Sequence, residues 1–138
     1  METKSKTIIA DSSGLISLLI DTDSNHHAAH GIATRLTEDG VTILVPSEVL
    51  AETINILGKK FGHEQTAQVV EGLFQSAVFL VIPSSDVVRK DALERFRGII
   101  SSVSYTDCLV MAVADHYGVT SIFGFDDIFS KQGYQRPS

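Results

Sequence analysis

A single cysteine, Cys108, is present among 138 residues. That excludes an internal disulfide framework and suits a reducing cytosol. Long apolar runs are also missing, since none reaches the roughly 18 residues needed to span a bilayer. The first segment, METKSKTIIAD, is charged, and its short apolar stretch stops at Asp11. No signal peptide is expected, and a cytoplasmic protein with no membrane role is the reading. Positive charge is the third shortage: 11 Lys and Arg stand against 17 Asp and Glu, for a formal net charge of −6. This argues against a nucleic-acid binder that works through a broad basic face. It leaves room for one that holds cations in an acidic site, because bound ions reverse the local sign.

Repeats, low-complexity segments and linkers are absent too, so residues 1–138 are expected to form one domain. Four short runs read as strands: KTIIAD (6–11), VTILVP (41–46), VFLVIP (78–83) and VTSIFG (119–124). Each is apolar almost without alternation, which indicates strands covered on both faces, as in a parallel sheet. Amphipathic helical stretches separate them. The alternation predicts an α/β fold, a three-layer α/β/α sandwich around a mostly parallel sheet of four or five strands. Helix signals agree. Ser12 or Ser13 is expected to cap the first helix, Ser47 the one after strand two, and Asp127 a short final one. SYTDCLVMAVADHYG is apolar nearly all round from Cys108 to Ala114 and should be the most buried helix. Cys108 reads as a packing residue, because thiolates need polar surroundings.

In a parallel sheet the carboxyl ends of the strands and the N-termini of the following helices share one edge, where ligands bind. Asp11 closes the first strand, and Asp126 and Asp127 follow the last. Asp107 opens the apolar helix, and Glu48 and Glu52 lie in the first two turns after strand two. Each has a plain structural reading. Asp11 suits a turn and cap, SYTD matches a capping box, and Glu48, Glu52, Asn55 and Lys59 form one stripe usual for a solvated face. Together they are harder to dismiss. Several carboxylates on one edge repel one another unless a cation neutralises them. Oxygen-only donors suit hard ions, Mg²⁺ or Mn²⁺, which activate water against a phosphodiester.

Four blocks carry a resemblance to the PIN-domain family, and among its members to the VapC-like toxin ribonucleases: IIADSSGLISLL (8–19), VPSEVLAETINIL (45–57), SYTDCLVMAVADHYGV (104–119) and IFGFDDIFSKQGY (122–134). The resemblance implies an acidic catalytic quartet at Asp11, Glu52, Asp107 and Asp126, with metal held by Asp11, Asp107 and Asp126 and with Asp127 in reserve. It implies a Mg²⁺- or Mn²⁺-dependent ribonuclease that leaves a 5′-phosphate, an RNA substrate, a homodimer and an antitoxin that inserts into the cleft. Ser12, Asn55 and Lys59 are the expected substrate contacts. The chain departs from the family at Gly124, where a Ser or Thr hydroxyl is common two residues before Asp126. That departure motivates an alternative, a PIN-like scaffold that binds RNA or a partner with lost catalysis; a housekeeping RNA-processing nuclease is a further one.

Other constellations fit less well. His26 and His30 are four apart as in zinc helices, but the Glu of H-E-x-x-H is missing, and His27 beside them suits a solvated helix start. A phosphatase of the haloacid-dehalogenase type needs an Asp where Ser13 stands. A receiver domain needs a phospho-acceptor Asp after the third strand, where the chain reads VIPSSD with its Asp86 in a helix cap. The basic clusters are Lys59–Lys60 and the group Arg89, Lys90, Arg95 and Arg97, which would be the phosphate contacts if RNA binds.

Overall fold

The computed structural model describes residues 6–99 and 102–138. Strand β1 (Thr7–Ala10) leads into α1 (Ser12–Leu19) and α2 (His26–Glu38). Strand β2 (Thr42–Pro46) follows, then α3 (Ser47–Phe61) and α4 (His63–Gln75). Strand β3 (Phe79–Ile82) precedes α5 (Asp86–Gly98) and α6 (Tyr105–His116), and β4 (Ile122–Phe123) precedes α7 (Asp127–Lys131). The strands form one sheet in the order β3-β2-β1-β4. Every pairing is parallel, with Ile8 opposite Ile43, Ile9 opposite Ile122 and Val45 opposite Val81. Helices flank this sheet as an α/β sandwich, with α1 packed on α2 and α3, α3 on α4, and α5 on α6.

The apolar runs behave as their composition demands where the strand is central. In β1 and β2, Ile8, Ile9, Ala10, Ile43, Leu44 and Val45 are all buried. Strand β3 differs. It lies at the sheet edge, and Leu80 is 53% exposed, so this run is not covered on both faces. The last run is shorter than expected as a strand, but Ser121 forms a parallel bridge with Gln135, which extends that edge. Helix α6 is the most buried, with every residue from Cys108 to Ala114 in the core. Each large side chain there stabilises the fold by about 1.5–3 kcal/mol relative to exposure.

Close approach explains how α1 sits on the sheet. A Cβ on Gly14 would lie 2.2 Å from the carbonyl oxygen of Phe123, so only glycine lets this helix touch β4. Gly62 closes α3 and opens α4 at φ +86°, a conformation that side chains disfavour.

Two caps differ from expectation, and at a third one of the two readings holds. Asp11 itself caps α1, because its extended backbone turns the carboxylate onto the N–H of Ser13. Pro46 occupies the cap of α3 with no side-chain bond, and the Ser47 hydroxyl donates to Glu48 instead. Asp126, not Asp127, caps α7.

Candidate functional site

Three aspartates reach the carboxyl edge of the sheet by the same device. Each commits one carboxylate oxygen to a helix N-terminus. Asp11 Oδ2 accepts from the backbone N of Ser13 at 3.3 Å. Asp107 Oδ2 accepts from the N–H of Ser104 at 3.1 Å, while the Ser104 hydroxyl accepts from the N–H of Asp107, a complete capping box. Asp126 Oδ1 accepts from the N–H of Ile128 at 3.1 Å. The second oxygen of each makes no hydrogen bond among the described residues. For Asp11, which is 2% exposed, that leaves Oδ1 buried and without a partner.

An isolated buried carboxylate oxygen is costly. Burial, with Asp107 adding repulsion, pushes the Asp11 carboxyl up to about 6. Asp107 is also raised, first by burial and then by the charges of Asp126 and Glu52. These couplings place Asp11, Glu52, Asp107 and Asp126 in one electrostatic neighbourhood. Asp127, in the first turn of α7, is exposed, and it lines the hollow beside Asp107 and Asp126 together with Val103 and Lys131.

Glu52 is selected over Glu48 by its partners. Ser12, the first residue of α1, donates from Oγ to Glu52 Oε1 at 3.0 Å. Glu48 turns the other way, accepting from Ser47 and from Ser84 at 2.8 Å and pairing with Arg89. Burial opposes it, but the Ser47 and Ser84 bonds hold the Glu48 carboxyl below its usual range.

The donor set fits a hard divalent cation. All candidate ligands are carboxylate oxygens, one is orphaned in a buried position, and neighbouring negative charge helps raise Asp11 and Asp107. Among the described residues no three acidic, His or Cys side chains already form a cage for an ion. Mg²⁺ does not need a closed cage, since it keeps several waters, through which carboxylates that do not touch it directly can still hold it.

A family model for the PIN domain matches residues 8–133. The chain belongs to the PIN domain family. Among solved structures it is similar to VapC20 of Mycobacterium tuberculosis, a sarcin–ricin loop cleaving toxin, with a TM-score of 0.76 and 25% identity over 92% of this chain and 95% of that one. It is also similar in fold to VapBC2 of Rickettsia felis bound to a DNA fragment from its promoter, with a TM-score of 0.70 and 15% identity over 91% and 92% of the chains. No curated protein matches.

The remaining expected site residues in this PIN domain lie elsewhere. Asn55 and Lys59 line a groove of about 580 Å³ between α3 and α4, with Ile54, Thr66, Val70 and Phe74. Of the α5 basic group, Arg95 is held by Asp91, Asp115 and Tyr134, and Arg89 by Asp86 and Glu48. His26 is tied through Nδ1 to the carbonyl of Ser17. Phe125 packs edge-on to Phe123 and under the Arg136 guanidinium, whose Nε donates to the Gly124 carbonyl. Arg136 was not anticipated from sequence, because nothing local ties a C-terminal arginine to this loop. No helix among the described residues is long and apolar enough to cross a membrane.

Proposed function

We propose that this PIN domain is a Mg²⁺- or Mn²⁺-dependent endoribonuclease acting as the toxin of a toxin–antitoxin pair. The observation that carries the reading is the buried Oδ1 of Asp11, without a partner among the described residues, in a carboxyl that feels the charge of Asp107, which in turn feels Asp126 and Glu52. Asp11, Asp107 and Asp126 are the residues that would hold the cation, with Asp127 as the auxiliary. When bound, the cation supplies Lewis acidity and lowers the pKa of water for attack on a phosphodiester.

The chain's own groups do the rest. Asp11 is fixed by its cap on α1 and keeps one oxygen free. Glu52, oriented by Ser12, stands to accept the proton of the attacking water. Asp126 lies at the exposed mouth, where substrate phosphates arrive. The likeness to VapC20, a toxin, supports RNA as substrate, and the likeness to a VapBC complex supports an antitoxin as partner. The homodimer follows the family resemblance, and exposed Leu80 on β3 and Val87 and Leu93 on α5 are apolar residues that a second copy would cover.

The scaffold reading without catalysis rests on the missing hydroxyl at Gly124 and on the net charge of −6; against the first, Ser13 places a hydroxyl in contact with that same space. The test is RNA cleavage by purified protein, with and without EDTA, alongside growth arrest on expression. Both activities should vanish in Asp107→Asn. Cleavage that persists in EDTA or in that variant overturns the proposal.

A further inference from the structure

Gly124 is buried, and its φ is not positive, so conformational freedom does not explain a glycine there. Space does. A Cβ on Gly124 would lie 3.0 Å from Asp11 Cβ, 3.1 Å from Ser13 Oγ and 3.4 Å from Asp11 Oδ2. In the room this leaves, the Ser13 hydroxyl makes two bonds. It donates to Asp11 Oδ2 at 2.8 Å and accepts from the N–H of Phe125 at 2.9 Å. One side chain thus ties the end of β4 to the carboxylate that closes β1.

A terminal carboxylate torsion is broad, so a single bond leaves the group free to swing. Two bonds on Oδ2, from the Ser13 hydroxyl and its backbone N–H, set the plane of Asp11 and leave Oδ1 as the open donor. We propose that Ser13 is a positioning residue that aims Asp11 Oδ1 at the cation, and that Gly124 is the matching space that lets it do so. This rests on the acidic edge being a cation site, as proposed above. This role is separate from the cap on α1, because the bond from the Ser13 backbone N–H to Asp11 survives loss of the hydroxyl.

The experiment is a cycle of Ser13→Ala, Gly124→Ser and the two combined, in the full chain. Mn²⁺ binding is measured by calorimetry, and melting is measured in EDTA. Ser13→Ala should weaken Mn²⁺ binding by roughly 10–100-fold while the protein stays folded. Gly124→Ser should weaken it and lower the melting temperature, by crowding Asp11 and Ser13. The double variant should recover part of both losses, because removing Ser13 Oγ relieves the 3.1 Å contact while a serine at 124 supplies a hydroxyl from the opposite side; the 3.0 Å approach to Asp11 Cβ stays. Ser13→Thr, which keeps the hydroxyl, should bind Mn²⁺ nearly as the wild type does. Wild-type affinity in Ser13→Ala overturns the assignment, and so do losses that simply add in the double variant. If Ser13→Ala does not fold, loss of binding in a folded Ser13→Thr also overturns it. A wild-type protein that takes up no Mn²⁺ sinks the nuclease reading and the aiming role; the melting cycle then decides the Ser13–Gly124 coupling, supported by recovery and overturned by additivity.

Discussion

Ser12 and Glu52, 40 residues apart in the chain, are joined by a hydrogen bond of 3.0 Å from hydroxyl to Oε1. The bond links the first residue of α1 to the second turn of α3, so the acidic edge is stitched across two elements. Ser12→Ala should cost about 1 kcal/mol of stability, since a bond to a partly solvated carboxylate is of that order. It should also lower kcat more than it changes KM, because Glu52 loses its orientation. Thermal melts and steady-state cleavage kinetics check both; unchanged kcat in a folded variant removes Ser12 from the site.

Asp11→Asn and Asp107→Asn separate capping from charge. Asparagine keeps the oxygen that Asp11 offers as a cap and that Asp107 offers to the Ser104 N–H, so both variants should fold. Loss of a ligating carboxylate should reduce cleavage by at least roughly 100-fold, given the several kcal/mol a metal-assisted step depends on. Asp126→Asn should be nearly as damaging and Asp127→Asn much milder, because Asp126 is the one coupled to Asp107. Circular dichroism and a labelled RNA assay read the two halves of this expectation.

The Asp11 carboxyl also makes stability depend on pH. Burial raises it from 3.8 to about 6, so the folded state holds that proton more tightly than the unfolded chain. The stabilisation is therefore fully present below the unfolded value and is lost as pH rises through about 6. In metal-free protein the melting temperature should fall between about pH 4 and pH 7, reflecting about 2–3 kcal/mol. Asp11→Asn should flatten that fall and melt higher than wild type at neutral pH. A flat wild-type profile in EDTA would falsify the assignment of Asp11 as a buried, unneutralised carboxylate.

Divalent ions should reverse this pattern. Mg²⁺ or Mn²⁺ that binds only the folded chain raises its melting temperature by mass action, about 2.7 kcal/mol at 100 times Kd. The shift should be larger at neutral than at mildly acidic pH, because the ion needs Asp11 ionised. It should disappear in Asp107→Asn, as followed by dye-monitored melting.

Gly14→Ala tests the packing that brings α1 onto β4. Its Cβ would sit 2.2 Å from a carbonyl oxygen of Phe123, against backbone that cannot rotate away. A loss of about 3 kcal/mol is expected, from overpacking rather than helix propensity, which alone favours alanine. A variant that melts with wild type shows that α1 can shift without cost.

Much of the candidate site was legible before folding was considered, and both readings of each aspartate hold at once. Asp107 was readable as a capping-box residue and as a site residue; one oxygen does the capping and the other stays free. Asp11 follows the same rule at the end of β1. Less legible were the role of Ser13, which reads from sequence only as a cap candidate beside Ser12, and the distinction between Glu48 and Glu52. On one helix these two glutamates differ by a single turn. Only Ser84 and Arg89 from one direction and Ser12 from the other tell them apart.

By itself the sequence determined the α/β alternation, the parallel sheet and the acidic positions at its edge, because strand burial and helix periodicity are written in neighbouring residues. Tertiary structure alone decided which oxygen of each carboxylate is free, that β3 is an uncovered edge, and that Gly124 makes room for a hydroxyl 2.9 Å from the Phe125 amide. The reason is range. Secondary structure follows from contacts a few residues apart, whereas the Ser13 hydroxyl that bonds the Asp11 carboxylate is itself held by the Phe125 amide, 112 residues further along the chain.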